Sequence, residues 1–174
     1  ESGSPCSVLM PDERTAIVNA DGPGYSNLRR LDLMTGALGD LTPERGEVSS
    51  CSLSANAKTI AYLYGDSTHP GELYVADTGT GAQRALTHLN RAYLDNVNLS
   101  RPQEYTVEDS AGFTVHAWFM PATNVTRGSK HATIFTVHGG PQAQYGDTYF
   151  HQFQMWTSMG YNVIIADPRG SIGF

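Results

Sequence analysis

The chain has 174 residues, and its 11 lysines and arginines against 17 aspartates and glutamates give a formal net charge of −6. Nucleic-acid-binding proteins carry a basic face, so we expect no nucleic-acid partner. No apolar run approaches the roughly 20 residues that cross a bilayer, and no polybasic stretch would hold the chain on an anionic membrane. We therefore expect no membrane partner, and a cytoplasmic location because no signal peptide is visible.

An internal repeat runs through the first hundred residues. Residues 28–42 and 73–87 share a leucine, an aspartate, a glycine and a Leu-Thr pair at positions that lie 45 residues apart. A period near 45 with four short strands per repeat is typical of a propeller blade. Residues 59–64 and 73–76 are rich in β-forming types, and the Asp-x-x-x-Gly segments have turn chemistry. We therefore predict β-propeller blades for residues 1–100; a chance similarity inside an all-β sandwich is the alternative.

The residue types that bind metals or form disulfides are few and scattered. Cys6 and Cys51 lack the close paired spacing of a zinc site and are too few for a disulfide framework, so we expect two separate thiols. A metal site built from His131, His138 and His151 is a weak alternative, because their spacing suits no single helix face and no cysteine is near. We expect no metal and no cofactor.

A different pattern begins after residue 100. The Arg101-Pro102 pair marks a boundary, because proline disfavours regular structure in the residue before it. Residues 104–120 are predicted to form a hairpin whose turn lies at residues 109–112. The returning strand alternates between two faces, and we expect His116 to be an ordinary residue of one face rather than a ligand.

The next segment has the pattern of a strand, a helix and a second strand. Residues 132–137 form an apolar run suited to a strand buried on both faces. Residues 148–159 carry aromatic side chains at helical spacing, with Asp147 as the candidate N-cap and Gly160 placed to end the helix. Residues 163–166 form another apolar run. This order predicts an α/β fold with a parallel strand pair.

The sequence His138-Gly139-Gly140-Pro141 directly follows the first of these strands. The carboxyl ends of parallel strands are where open α/β folds place their sites. Adjacent glycines leave backbone N–H groups uncovered, and proline has none, so the available donors belong to Gly139 and Gly140. Two such donors suit a developing oxyanion, as in hydrolases. An ordinary tight turn is the alternative.

The motifs together resemble the prolyl oligopeptidase family of serine peptidases, in its acylaminoacyl-peptidase and dipeptidyl-peptidase branch. The residues that carry the resemblance are the turn 138–141, Gln144-Tyr145-Gly146, Phe150 with Phe153, Gly160-Tyr161 with Val163, and Asp167-Pro168-Arg169-Gly170-Ser171 with Gly173. The repeat resembles the TolB-type blade. The resemblance implies β-propeller blades over residues 1–100, followed by the N-terminal part of an α/β-hydrolase domain over residues 101–174.

The resemblance also implies roles for the turn. Gly140 would donate its backbone N–H to the oxyanion, Gly139 would belong to the same turn, and His138 would brace the turn without being the triad histidine. The second donor would follow the nucleophile. No Gly-x-Ser-x-Gly elbow is present, and Ser171 matches a structural turn of the family rather than a nucleophile. Arg169 would pair with a carboxylate or be solvated.

We therefore expect an internal fragment of a serine peptidase whose Ser, Asp and His triad lies beyond residue 174. The resemblance implies hydrolysis of short peptides by the intact enzyme, while the fragment alone would be inactive. Its partners would be the peptide substrate and the remainder of the same polypeptide, and a homo-oligomer is left open. One alternative is an esterase using the same turn. The other is a non-catalytic TolB-like binding module, which residues 101–174 disfavour because they break the period.

Overall fold

The computed structural model describes residues 6–42, 45–126, 128–140 and 142–173, which form two β-sheets and two short helices. The strands of the first sheet are β1 (Ser7–Leu9), β2 (Thr15–Gly22), β3 (Tyr25–Asp32), β4 (Leu38–Asp40), β5 (Glu47–Leu53), β6 (Thr59–Asp66), β7 (His69–Asp77) and β8 (Gln83–Ala85). The strands of the second are β9 (Gln103–Glu108), β10 (Thr114–Met120), β11 (Thr133–Val137) and β12 (Asn162–Asp167). The helices are α1 (Arg91–Leu94) and α2 (His151–Ser158).

The first sheet consists of two successive four-stranded units. Strands β1 to β4 form one antiparallel unit and β5 to β8 form the next. A single parallel residue pair, Ser26 with Glu47, joins the two units. Elsewhere side chains join the units, as where the amide of Asn19 donates to the carbonyl of Val48 at 2.9 Å. Their shared core contains the fully buried side chains of Ile17, Leu28, Val48, Ile60 and Tyr62.

The repeated aspartate and glycine build the same turn in both units. Asp32 and Asp77 end the third strand of their units, and each carboxylate accepts backbone N–H groups from the turn that follows. Gly36 and Gly81 both adopt φ +74°, in the left-handed region that favours glycine. The residues that repeat every 45 positions therefore form the same turn in both units, where the chain reverses from the third strand to the fourth.

Cys6 and Cys51 form a disulfide, so the expectation of two separate thiols was wrong. Their Cα atoms lie 5.6 Å apart and their sequence separation is 45 residues, one full repeat. Cys6 immediately precedes β1 and Cys51 lies in β5, so the bond ties the first strands of the two units together.

The second sheet has the strand order β11, β12, β10, β9. Strands β11 and β12 are parallel and connected through α2, and β9 with β10 forms the hairpin, as predicted. One face is buried against α2, where Trp118, Met120, Val163 and Ile165 pack with Phe153 of the helix. The β11–α2–β12 unit brings the end of β11 beside the end of β12.

Two local predictions in this region were wrong. Strand β11 is not buried on both faces, because it is the edge strand of the sheet and Phe135 is 64% exposed. Helix α2 begins at His151 with Phe150 at its N-cap, three residues later than predicted. Asp147 does not cap it, since its carboxylate accepts the backbone N–H of Ser67 at 3.0 Å. Gly160, with φ +92°, ends the helix as predicted.

The two sheets meet along the segment 144–148. The side-chain amide of Gln144 accepts the N–H of Gly24 at 3.1 Å and donates to the carbonyl of Tyr25 at 3.2 Å. Thr148 donates its hydroxyl to Glu47 at 2.9 Å. This segment comes directly after the glycine turn. The contact between the sheets is therefore made within a few residues of the predicted site.

Candidate functional site

The glycine turn lies at the carboxyl end of β11. Gly139 and Gly140 are both exposed, and neither adopts a positive φ. A Cβ on Gly139 would meet no atom within 4 Å. A Cβ on Gly140 would lie 3.2 Å from the backbone nitrogen of Gln142 and 3.6 Å from Nδ1 of His138. Pro141, which has no backbone N–H to donate, lies outside the described residues.

His138 is a buried side chain that contacts the turn through one ring nitrogen. Its side chain is 8% exposed, and Nδ1 lies 2.6 Å from the carbonyl oxygen of Gly139. A carbonyl only accepts hydrogen bonds, so Nδ1 carries the hydrogen. The C=O and N–H of a trans peptide unit point in opposite directions. This hydrogen bond therefore turns the N–H of Gly140 away from the His138 ring.

The other nitrogen of His138 faces a serine and an aspartate. Nε2 lies 2.7 Å from Oγ of Ser171 and 3.7 Å from Oδ1 of Asp167. The arrangement is not a catalytic triad, in which serine and aspartate contact different ring nitrogens. Here both approach Nε2, and Ser171 donates its hydroxyl to the carbonyl oxygen of Pro168 at 2.7 Å. The hydroxyl of Ser171 is therefore directed at the Pro168 carbonyl rather than at a catalytic base.

Asp167 is the most deeply buried carboxylate near the turn. Its side chain is fully buried, and Oδ1 accepts the backbone N–H of Tyr145 at 2.7 Å. Oδ2 has no hydrogen-bond partner among the described residues. Burial raises the pKa of Asp167, although the N–H of Tyr145 and the charges of His138 and His116 act in the opposite direction. Burial therefore disfavours the charged form of this carboxylate.

An aromatic cluster holds the His138 ring from the side. The ring of Tyr145 packs edge-on against His138, with centroids 5.6 Å apart. Tyr145 also packs edge-on against Phe150 and Phe153, at 5.5 and 5.3 Å. These rings connect the turn to the core of the second sheet. The packing leaves His138 little freedom to rotate.

The other residues singled out in the sequence lie away from this group. The guanidinium of Arg169 lies 4.6 Å from the centroid of the Phe113 ring. His116 is a strand residue of β10, with Nδ1 3.7 Å from Glu104. Within the described ranges, no three His, Cys, Asp or Glu side chains are placed to hold a metal, His131, His138 and His151 included. Neither described helix has the length and apolar character that crossing a bilayer requires.

Sequence reasoning did not single out Asp167 and Tyr145 as site residues. Asp167 ends β12, the strand beside β11, so the rule that sites form at the carboxyl ends of parallel strands pointed to it. Tyr145 gave no such signal, because its contribution is a backbone N–H and a ring contact. The two join the predicted turn into one connected group.

A cavity of about 630 Å³ lies between the two sheets beside the turn. The segment after the turn forms one wall with Gln142, Tyr145 and Phe150, and the first sheet contributes the carboxylates of Asp21 and Glu47. Its size is in the range of small-ligand pockets. A ligand in this cavity would contact both sheets.

Comparisons with known proteins identify relatives among peptidases, although no family model matches the chain. The chain is 31% identical to the uncharacterized peptidase YuxL of Bacillus subtilis over 131 residues, which are 75% of the chain and 20% of the relative. It is 27% identical to dipeptidyl-peptidase 5 of Arthroderma otae over 169 residues, which are 94% of the chain and 23% of the relative.

Solved structures of peptidases share the fold. An acylaminoacyl peptidase of Pyrococcus horikoshii superposes with a TM-score of 0.83 at 22% identity, over 97% of the chain and 26% of that protein. A puromycin-hydrolyzing peptidase of Mycobacterium tuberculosis superposes with a TM-score of 0.70 at 27% identity, over 96% of the chain and 26% of that protein. The chain thus spans 20% to 26% of the length of these relatives.

The solved structures that share the fold are propeller-containing peptidases, and the sequence relatives are named as peptidases. The structural neighbours are serine peptidases of the prolyl oligopeptidase family, which confirms the resemblance drawn from the motifs of the chain.

Proposed function

We propose that the chain is part of a serine peptidase of the acylaminoacyl- or dipeptidyl-peptidase type, which hydrolyses short peptides. The observation that carries the proposal is the peptide unit between Gly139 and Gly140. Its carbonyl is bonded to His138 and its N–H is directed away, in an exposed turn at the end of a parallel strand. This presents a fixed backbone donor beside the cavity between the sheets.

In this proposal the chain supplies propeller blades and the start of the catalytic domain, and it supplies no residue of the triad. Residues 1–100 are two blades of a TolB-like propeller, supported by the two four-stranded units. Residues 101–174 are the start of an α/β-hydrolase domain, supported by the parallel β11–α2–β12 unit. The nucleophilic serine, the aspartate and the histidine come from the remainder of the polypeptide.

The proposed chemistry is acyl transfer. The serine oxygen bonds to the substrate carbonyl carbon while the triad histidine takes the serine proton, and the carbonyl oxygen becomes negative. The C–N bond then breaks as the histidine gives its proton to the leaving amine, and water later releases the acyl group by the same route. Gly140 stabilises the negative oxygen, which requires its N–H about 2.7–3.1 Å from that atom.

The substrate class follows from the site and the relatives. Aromatic rings of Tyr25, Tyr145 and Phe150 line the cavity together with polar side chains, and this mixed lining suits an extended peptide. One structural neighbour is an acylaminoacyl peptidase in complex with Z-Gly-Gly-Phe-chloromethyl ketone. We propose peptides as substrates. Turnover of an ester that carries the same acyl group is the measurement against which peptide turnover is compared.

The disulfide carries information about the cellular compartment of the protein. The Cys6–Cys51 bond ties successive repeats, and such bonds persist in oxidising compartments. We therefore propose an exported protein in place of the cytoplasmic location first expected.

The test is labelling of the full-length protein with a serine-reactive organophosphonate, followed by mapping of the modified peptide. One serine outside residues 1–174 should be labelled, with loss of activity on a chromogenic peptide. The chain by itself should neither react nor hydrolyse. Modification of Ser171 would contradict the proposal. Faster turnover of a matched ester with no turnover of the peptide would favour an esterase, and peptide binding without labelling would favour a binding module.

A further inference from the structure

We infer that Asp167 is a positioning residue for the oxyanion donor: its buried carboxylate holds His138, and His138 fixes the peptide unit that carries the N–H of Gly140. The inference rests on the proposed function, because it concerns the same donor. It assigns a role to a residue that contacts neither the substrate nor the triad. Its action is transmitted through one imidazole ring.

The first step is the contact between His138 and the turn. Gly139 adopts no positive φ and its Cβ position is open, so side-chain packing at Gly139 does not set the orientation of this peptide unit. The hydrogen bond from Nδ1 of His138 to the Gly139 carbonyl, at 2.6 Å, is what restrains it. If this bond is lost, the unit can rotate and carry the N–H of Gly140 with it.

The second step is the contact on the other side of the ring. Ser171 donates its hydroxyl to the carbonyl of Pro168 at 2.7 Å, and its oxygen lies 2.7 Å from Nε2 of His138. The ring is therefore held at both nitrogens, by the turn and by the segment that follows β12.

The third step is the contact between Asp167 and the ring. Oδ1 of Asp167 lies 3.7 Å from Nε2, and the side chain of Asp167 is fully buried. The N–H of Tyr145 holds the same oxygen at 2.7 Å, which fixes the carboxylate in place. The carboxylate therefore holds the Nε2 side of the ring and keeps Nδ1 directed at the Gly139 carbonyl.

The burial of Asp167 separates this role from a purely structural one. Because burial raises the pKa of Asp167, the charged form is penalised by its surroundings. Asparagine keeps the shape and the acceptor for Tyr145, and it removes the charge. Replacing Asp167 with asparagine should therefore disturb the His138 ring and the turn while the packing around residue 167 is kept.

The experiment measures Asp167→Asn in the full-length protein with a chromogenic peptide, with active sites counted by organophosphonate titration. We expect kcat to fall roughly 10- to 100-fold with KM nearly unchanged, because the oxyanion forms only after binding. Counting active sites corrects kcat for any loss of folded protein. The matched control is Asp66→Asn, since Asp66 also pairs with a histidine, His69, at 2.9 Å, but lies in the first sheet. This control should leave kcat unchanged.

Two further variants make the result decisive. Gly140→Val disturbs the donor directly, and the double variant with Asp167→Asn should lose no more kcat than Gly140→Val alone, because both changes act on one donor. Normal kcat in Asp167→Asn beside a low kcat in Gly140→Val overturns this inference and leaves the proposed function standing. Normal kcat in both overturns the assignment of the donor and this inference with it, whereas a parent protein that neither reacts with the organophosphonate nor turns over the peptide overturns the proposed function. If Asp167→Asn does not fold, His138→Gln replaces it, and normal kcat in that variant also overturns the inference.

Discussion

Gly24 and Gly146 pack backbone against backbone where the two sheets meet. The carbonyl of Gly24 accepts the N–H of Asp147 at 2.7 Å, and a Cβ on Gly146 would overlap the Gly24 backbone. Gly24 also has φ +73°, and a Cβ there would overlap the ring of Trp118. The close approach of the sheets therefore requires glycine at both positions. Gly146 lies only a few residues after the glycine turn.

The first prediction concerns that contact. Gly146→Ala should destabilise the full-length protein by about 1–3 kcal/mol, because the added methyl forces two backbones apart in a packed interface. The measurement is the thermal unfolding midpoint. Gly71→Ala is the matched control, since a Cβ there meets nothing within 4 Å and the backbone is not left-handed. An equal midpoint for both variants would show that the sheets do not need this close approach.

The second prediction concerns Gly140. Gly140→Val should lower kcat in the full-length enzyme by roughly 10²–10³, as loss of an oxyanion donor does elsewhere. Since Gly140 has no positive φ, the variant should fold, while its side chain crowds Nδ1 of His138 and the nitrogen of Gln142. Steady-state kinetics on a chromogenic peptide measure the effect.

The control for this variant is Gly39→Val. Gly39 lies in β4, far along the chain from the turn, and a Cβ there meets nothing within 4 Å. It should retain wild-type kcat. A well-folded Gly140→Val protein with near-normal kcat would falsify the assignment of the donor.

The third prediction concerns the disulfide. Reduction of the Cys6–Cys51 bond should lower the free energy of unfolding by about 2–4 kcal/mol, because the bond closes a long loop in the unfolded chain. Unfolding followed with and without dithiothreitol measures this. The double variant Cys6→Ser with Cys51→Ser should unfold at the same midpoint with and without reductant. No response of the parent to reductant would mean that the two thiols are not joined.

The fourth prediction concerns pH. Burial raises the pKa of Glu72, but the hydrogen bonds from Thr87 and Asn90 outweigh it and lower the pKa from 4.5 to about 2. A carboxylate with a depressed folded pKa stabilises the fold above its unfolded value, and this contribution is lost as pH falls from about 4.5 towards 2. Glu72→Gln should unfold at a lower temperature than the parent at pH 7, with the difference shrinking below pH 4.5. A constant difference would contradict this contribution.

The sequence allowed prediction of features that depend on neighbouring residues. The aspartate-to-glycine turn at Asp77 and Gly81 is local, since the carboxylate bonds to N–H groups two and three residues on. The order of the hairpin, the helix and the parallel strands also followed from short patterns. The turn after β11 was also predictable, because its two glycines directly follow the apolar run of that strand in the sequence.

Features that depend on distant residues could not be predicted in this way. Asp147 has the position of an N-cap, but it bonds to Ser67, 80 residues away, and no local pattern records that partner. Strand β11 has a buried composition, but its exposure depends on its place at the sheet edge. The burial of Asp167 likewise depends on its neighbours in the second sheet, which periodicity alone does not reveal.

The Cys6–Cys51 bond has a mechanical consequence for the first sheet. It links the leading strands of two successive units, so a pulling force applied to one is transmitted covalently to the other. These two units cannot move apart at that seam while the bond is intact. Reduction would leave the two units joined at this position by non-covalent contacts alone.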